Sequence, residues 1–214
     1  ALGDPTTHKY IGAVSFHSWR GCDDETLRKW GAAAKTLNVP LLVGEGSTDA
    51  AAHSYAEIFN ESTFALYEIN LYTRICAISQ PMSILQWQLT SDYSLLWGDG
   101  IYGSKGPLHP TQRFWNMKQL ASTPADALAI PVQSSKKQVN CAAFGNITRG
   151  EYAVHMVNNG ADCNAVISGI PAGVTELTVY VTNTKDSMKK STVKVQNGQA
   201  TVHMPAISFI TLLN

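Results

Sequence analysis

Over the first 124 residues the apolar positions switch between two spacings, one that suits strands and one that suits helices. Tyr10-Ile11-Gly12-Ala13-Val14-Ser15-Phe16-His17 reads as a strand that turns polar at its C-terminal end, at His17-Ser18-Trp19. Asp23-Asp24-Glu25 then supplies the acidic first turn that a helix dipole favours, and Leu27, Trp30, Ala34 and Leu37 recur at helical spacing. Val39-Pro40-Leu41-Leu42-Val43-Gly44 is a second apolar run, stopped by Gly44-Glu45-Gly46. A long helical pattern follows, from about Ala52 through Ile58, Leu66, Ile69 and Ile75, and Pro81 closes it. Met82 to Leu89 is a third strand, and Ser91 to Pro110 is a loop rich in glycine and aromatics, of a length that is usually functional. His109-Pro110-Thr111 opens one more helix, carrying Phe114, Met117 and Leu120 and ending near Thr123-Pro124. Right-handed crossovers would lay the three strands parallel, with the helices over their outer face.

From Asp126 onward the pattern changes to short alternating or β-branched runs: Gln138 to Phe144, Tyr152 to Val157, Asn164 to Ile170, Leu177 to Thr182, Thr192 to Val195 and Ala200 to Leu213. Turn sequences such as Asn158-Asn159-Gly160, Pro171-Ala172-Gly173 and Asn197-Gly198 separate them, which predicts an antiparallel β-sandwich. The fold class is therefore α/β plus all-β, divided at about residues 124 and 125.

Composition narrows the function. Lys+Arg and Asp+Glu are 16 each among 214 residues, so no basic surplus exists to drive binding to a phosphate backbone, and nucleic acid is not an expected partner. No apolar run approaches a membrane span. Ala1 begins in polar sequence with neither an initiator Met nor a signal-type core, so the chain is expected to start inside something longer. Cys22, Cys76, Cys141 and Cys163 are scattered, with no CxxC spacing; Cys141 and Cys163 fall in strand runs, as a disulfide across the sandwich or as two unpaired thiols. The six histidines show no paired spacing on a helix face, so neither a metal nor a cofactor is expected. Asn60-Glu61-Ser62 and Asn146-Ile147-Thr148 fit the glycosylation sequon, a triplet common by chance, and the first falls within the helical pattern.

The three strand ends carry groups that suit a sugar site. His17 and Trp19 end the first, Glu45 the second, and Gln86, Trp87 and Gln88 the third. In a parallel sheet these ends share one rim, where such folds keep their chemistry. A retaining glycosidase needs a carboxylate nucleophile, an aromatic floor and donors that aim the nucleophile, and Glu45, Trp87 and His17 supply one of each. Each has a plainer rival: Glu45 as a solvated loop carboxylate, Trp87 as core filling, His17 as a satisfied core histidine. Asp49, Asp92 and Asp99 sit in loops on the same rim, where turn and cap chemistry competes with catalysis, and Tyr93, Trp97 and Tyr102 either line a sugar groove or pin their own loop.

At these residues the sequence resembles the C-terminal part of the clan A glycoside hydrolases, most closely the family thirty type with an appended β-sandwich. The matching segments are SFHSW, LLVGEGS and ILQWQL on the last three barrel strands, RFWNMKQLASTP on the helix into the sandwich, and MPAISFITLL on its closing strand. The resemblance implies a partial (β/α) barrel in residues 1–124 and a sandwich in 125–214. It makes Glu45 the nucleophile, Trp87 the platform beneath the cleaved sugar and His17 a polar neighbour, with Trp19, Tyr93 and Trp97 as further substrate contacts. A carbohydrate substrate and a secreted or extracytoplasmic setting go with it. The sequence departs from the family in having three strand-helix units where a barrel has eight, and no strand ending in the Asn-Glu pair that would carry the acid/base. A catalytically incomplete fragment is expected, paired with its missing barrel half or with a second copy. A non-catalytic carbohydrate-binding or interaction module is the alternative.

Overall fold

The computed structural model describes residues 2–49, 55–91 and 93–214, and shows a mixed α/β architecture with several sheets. Strands β1 (Val14–His17), β2 (Leu41–Gly46) and β3 (Ser83–Gln86) form a parallel sheet in that order. Helix α1 (Asp24–Leu37) joins β1 to β2, and α2 (Ser62–Ile78) joins β2 to β3. The Asp23 side chain caps α1 by accepting from the Thr26 amide, and Asn38 ends the helix in the left-handed conformation, freeing the chain to turn into β2. Phe16, Val43 and Ile84 occupy one face of this sheet and pack with Leu27, Ala34, Ile69 and Ile75 of the helices. Leu41 and Val43 of the middle strand are buried in that layer, while Leu42 between them is only half-buried.

The helix expected from Ala52 is shorter. Residues 50–54 lie outside the described set; Ala56–Asn60 is a 3-10 turn, and α2 begins only at Ser62, after a cap at Glu61 in extended backbone. Asn60-Glu61 therefore precedes the helix rather than sitting in it. The loop after β3 folds a small ribbon, β4 (Leu96–Trp97) against β5 (His109–Pro110), before α3 (Gln112–Leu120).

The remaining strands are β6 (Leu128–Ile130), β7 (Val139–Asn146), β8 (Glu151–Asn158), β9 (Cys163–Ser168), β10 (Glu176–Thr182), β11 (Lys189–Lys194), β12 (Gln199–Met204) and β13 (Ser208–Leu213). Six of them form an antiparallel sheet in the order β11-β10-β13-β8-β7-β6, while β12 and β9 pair separately. The run from Ala200 to Leu213 is thus two strands in two sheets. Pro205 offers no amide to a ladder, and Ile207 takes a positive φ of 48° that turns the chain from one sheet to the other. Alternate residues of the six-stranded sheet point two ways. Met156, Ile210 and Leu212 pack against Ala165, Ile167, Val202 and Met204 of the β9/β12 pair, whereas Val157 and Phe209 join the core shared with the helices. Cys141 and Cys163 border that first layer as free thiols.

On the helix side the sheet also carries a buried polar seam. Gln119 of α3 donates to the Tyr180 and Phe209 carbonyls and to Thr211 Oγ1, and accepts from Thr182 Oγ1. His155, fully buried, lies 2.8 Å from both Thr123 Oγ1 and Thr211 Oγ1. Burial pushes its pKa down from 6.5 to about 3. The folded state therefore refuses a proton that the unfolded chain accepts once the pH drops below about 6.5, and stability is lost progressively from there down to about pH 3. Between pH 7 and pH 5 the loss should be about 2 kcal/mol, the order expected for a histidine held neutral over that window. Thermal melts at pH 7, 6 and 5 check it: the melting temperature should fall, and the His155→Gln variant should show a flatter dependence over the same range.

Candidate active site

The backbone irregularity at the end of β2 builds the site. Phe16 pairs with Val43, but His17 pairs with Glu45, so the register slips by one residue and β2 carries an extra position beside Gly44. The slip sets Glu45 beside His17. His17 Nδ1 lies 3.2 Å from Glu45 Oε2, and Trp19 Nε1 donates to the same oxygen at 3.0 Å. Among the described residues Glu45 Oε1 makes no hydrogen bond, and the Glu45 side chain keeps about 30% of its exposure. One oxygen is held and the other is open.

The flanking glycines serve close approach rather than unusual backbone. A Cβ on Gly44 would come within 2.5 Å of Ser15 Oγ, and a Cβ on Gly46 within 2.7 Å of Ile84 Cγ2 and 3.1 Å of the Tyr72 hydroxyl. Ser18 and Ser47 lock the two strand ends together: the Ser18 amide donates to the Glu45 carbonyl at 3.0 Å, and the Ser47 amide to Ser18 Oγ at 3.0 Å. Both serines are buried.

Trp87 follows β3 and is bound to the site through its backbone, its amide donating to the Gly46 carbonyl at 2.8 Å. The residue is 39% exposed, and the peptide bond to Gln88 is cis. With the Gln88 amide oriented to satisfy both its ends, its oxygen accepts from Trp87 Nε1 at 3.1 Å. No hydrogen bond links the Trp87 indole to Glu45 among the described residues. Trp19, at the end of the first strand, is the aromatic that touches the carboxylate. From it a train of rings leads outward: Trp19 meets Tyr93 edge-on at 4.8 Å, Tyr93 meets Phe59 at 4.8 Å, Phe59 stacks with Tyr102 at 5.9 Å, and Tyr102 stacks with Trp97 at 6.1 Å. Tyr93, Tyr102 and Trp97 thus pin one another and continue the wall that begins at Glu45.

The aspartates behave differently. Asp49 pairs with Arg20, Asp99 holds a turn through its amide to the Gly106 carbonyl, and Asp92 lies outside the described residues. Gln86, expected at the rim, turns inward: Tyr72 donates to its side-chain oxygen, and its nitrogen faces Glu68 at 3.4 Å. No three His, Cys, Asp or Glu side chains cluster as metal ligands would among the described residues.

Four residues behind the rim were not singled out by sequence: Ser47, Tyr72, Glu68 and Arg113. The available signal was chemical rather than positional. Glu68 is the single carboxylate inside the apolar helix Ser62–Ile78, and Arg113 opens α3 between Gln112 and Phe114. Nothing in their spacing announces that they meet.

Solved structures share this fold. A family 30 endoxylanase from Clostridium papyrosolvens C71 matches 100% of this chain and 51% of its own at a TM-score of 0.81 and 14% identity. The chain has the fold of part of a glycoside hydrolase. A family 30 subfamily 8 xylanase from Clostridium acetobutylicum matches 99% of this chain and 50% of its own, at a TM-score of 0.77 and 14% identity. A conserved exported protein from Bacteroides fragilis matches 95% and 46%, at 0.67 and 13%. The chain spans about half the length of these structures. No family model and no curated protein matches the sequence.

Proposed function

We propose that this chain is the C-terminal part of a retaining glycoside hydrolase that cleaves O-glycosidic bonds of a poly- or oligosaccharide. Residues 1–124 are then the last three strand-helix units of a (β/α) barrel and 125–214 its β-sandwich. The observation that carries the reading is the state of Glu45: it stands at the C-terminal end of the central parallel strand, with Oε2 tied to His17 and Trp19 and Oε1 uncommitted. A nucleophile needs that arrangement, one oxygen aimed and the other free to reach an anomeric carbon. The xylanases among the similar structures make xylan-type chains the first substrates to test. The exported neighbour supports an extracytoplasmic setting.

In this reading Oε1 attacks the anomeric carbon and forms a glycosyl ester as the bond to the leaving oxygen breaks; water then releases the sugar with retained configuration. Trp87 is the floor under the cleaved sugar, and Tyr93 and Trp97 continue the groove. The proton donor belongs to a strand preceding these three, at the roughly 5 Å carboxylate separation that retention requires. The alternative is a non-catalytic carbohydrate-binding or interaction module, and a second carboxylate about 5 Å from Glu45 would separate the two.

The isolated chain separates completeness from parentage. It should not measurably hydrolyse dinitrophenyl xylosides or other activated aryl glycosides, because the subsites that position the sugar are incomplete. It should also run larger than one chain in light scattering. β1 and β3 each lack a neighbour on one side among the described residues, and Met82, Leu85 and Leu89 are exposed along β3 and its extension. Robust turnover that Glu45→Gln abolishes would mean that the site is complete as it stands.

A further inference from the structure

We infer that the buried Arg113–Glu68 ion pair is the positioning device of this site, a role that rests on the nucleophile reading of Glu45 and adds a mechanism to it. Arg113 and Glu68 lie beneath the rim, their side chains 0% and 3% exposed. The guanidinium grips the carboxylate with two bonds, Nε to Oε2 at 2.9 Å and Nη2 to Oε1 at 2.8 Å. Its remaining nitrogen donates to the carbonyls of Tyr93 at 3.0 Å and Ser94 at 2.8 Å, and its flat face lies 5.0 Å from Phe59 and 5.2 Å from Phe64. Glu68 Oε1 in turn accepts from Ser47 Oγ at 3.0 Å and faces Gln86 Nε2 at 3.4 Å.

Each of these bonds ends one or two residues from a group of the site. Ser47 is two residues past Glu45, Gln86 immediately precedes Trp87, and Tyr93 is the ring that meets Trp19. The pair therefore ties the nucleophile strand, the platform strand and the aromatic wall to one point that water does not reach. A buried ion pair seldom adds stability over apolar residues of the same volume, so its value here is geometric: a planar fork with fixed directions sets the three segments relative to one another. Lysine has the charge but not the fork.

The test needs no substrate and reads the rim against the rest of the fold. Amide hydrogen exchange is followed by NMR at Ser18, Ser47 and Trp87, whose amides hold the rim, and at Met156 and Ile210, which report the six-stranded sheet. Arg113→Lys should speed exchange at the three rim amides by about tenfold or more relative to the sheet, the signature of a local opening. The Trp19 indole signal should move at least halfway toward its position in Glu45→Gln. Ser47→Ala, which removes one strut and nothing else, should give a smaller change of the same sign at Ser18 and Ser47, and it decides the matter if Arg113→Lys does not fold. Uniform acceleration across rim and sheet, or an unmoved Trp19 signal in a folded variant, would overturn the inference and leave the pair as a helix tie. Loss of the nucleophile reading would show separately, as turnover that survives substitution of Glu45.

Discussion

If the chain is part of a retaining glycosidase, as proposed, the whole enzyme should lose at least about 10⁴-fold in kcat/KM on aryl glycosides when Glu45 is replaced by glutamine, the scale on which removal of a catalytic nucleophile acts. The amide is nearly isosteric and can still accept from Trp19 Nε1, which bonds Glu45 Oε2 at 3.0 Å, so the loss reports chemistry rather than collapse of the site. Glu45→Ala should be equally slow in water and regain turnover in azide. The small anion enters the space that the carboxylate vacated and forms the carbon–nitrogen bond as the aryloxide leaves, giving a glycosyl azide of inverted configuration. A proton donor would respond otherwise. Dinitrophenyl glycosides need little protonation, so replacing an acid/base residue would spare their first step. If Glu45→Gln stays within about tenfold of the parent on such a substrate, a loss too small for a missing nucleophile, the assignment fails.

Arg113→Met should destabilise the fold by about 3–5 kcal/mol, the cost of leaving a buried carboxylate without its partner. Glu68 has no route to water: its side chain is 3% exposed, and its neighbours are Ser47, Gln86 and the core tyrosine Tyr72. Tyr72 brings no counter-charge. Burial first, and then the charge of Glu68, holds its hydroxyl well above the ordinary range, and it remains a neutral donor. The double variant Arg113→Met with Glu68→Met should recover most of the loss in urea unfolding, since removing both charges removes the desolvation penalty as well. The double variant should still show a loosened rim, because restored stability does not restore the fork. A single-variant cost under about 1 kcal/mol would show that water reaches Glu68 after all, an exposed pair being worth no more than that.

The candidate site was legible in part. Glu45 stood out because an apolar run ending in Gly-Glu-Gly places a carboxylate at a strand end, and His17 because the preceding strand turns polar at its last residue. The use of the glycines was not legible. Gly44 makes room for Ser15 and Gly46 for Ile84 and Tyr72, contacts that depend on which strands lie alongside. The bond from Trp19 to Glu45 was not legible, because it forms across the one-residue slip between β1 and β2, and a slip leaves no mark on periodicity. Gln86 was expected at the rim for the same reason: alternation predicts two faces but does not say which polar group finds a buried partner.

Among the larger elements, the parallel order of β1, β2 and β3 followed from local patterning, since a strand-helix-strand succession leaves one favoured handedness. The break at Pro205 did not. β12 alternates exposed and buried residues, but β13 is buried on both faces and shows no alternation, so nothing in the pattern marks where one strand ends and the next begins. By itself the sequence determined what depends on neighbours a few positions away: strand and helix periods, the cap at Asp23, the glycine-flanked carboxylate. Only the tertiary structure decided what depends on partners distant in the chain, such as Arg113 closing on Glu68 beneath Ser47 and Gln86, or His155 held neutral between Thr123 and Thr211. A charge carries no label for its partner, and burial, which makes the pairing obligatory, is a property of the assembled fold.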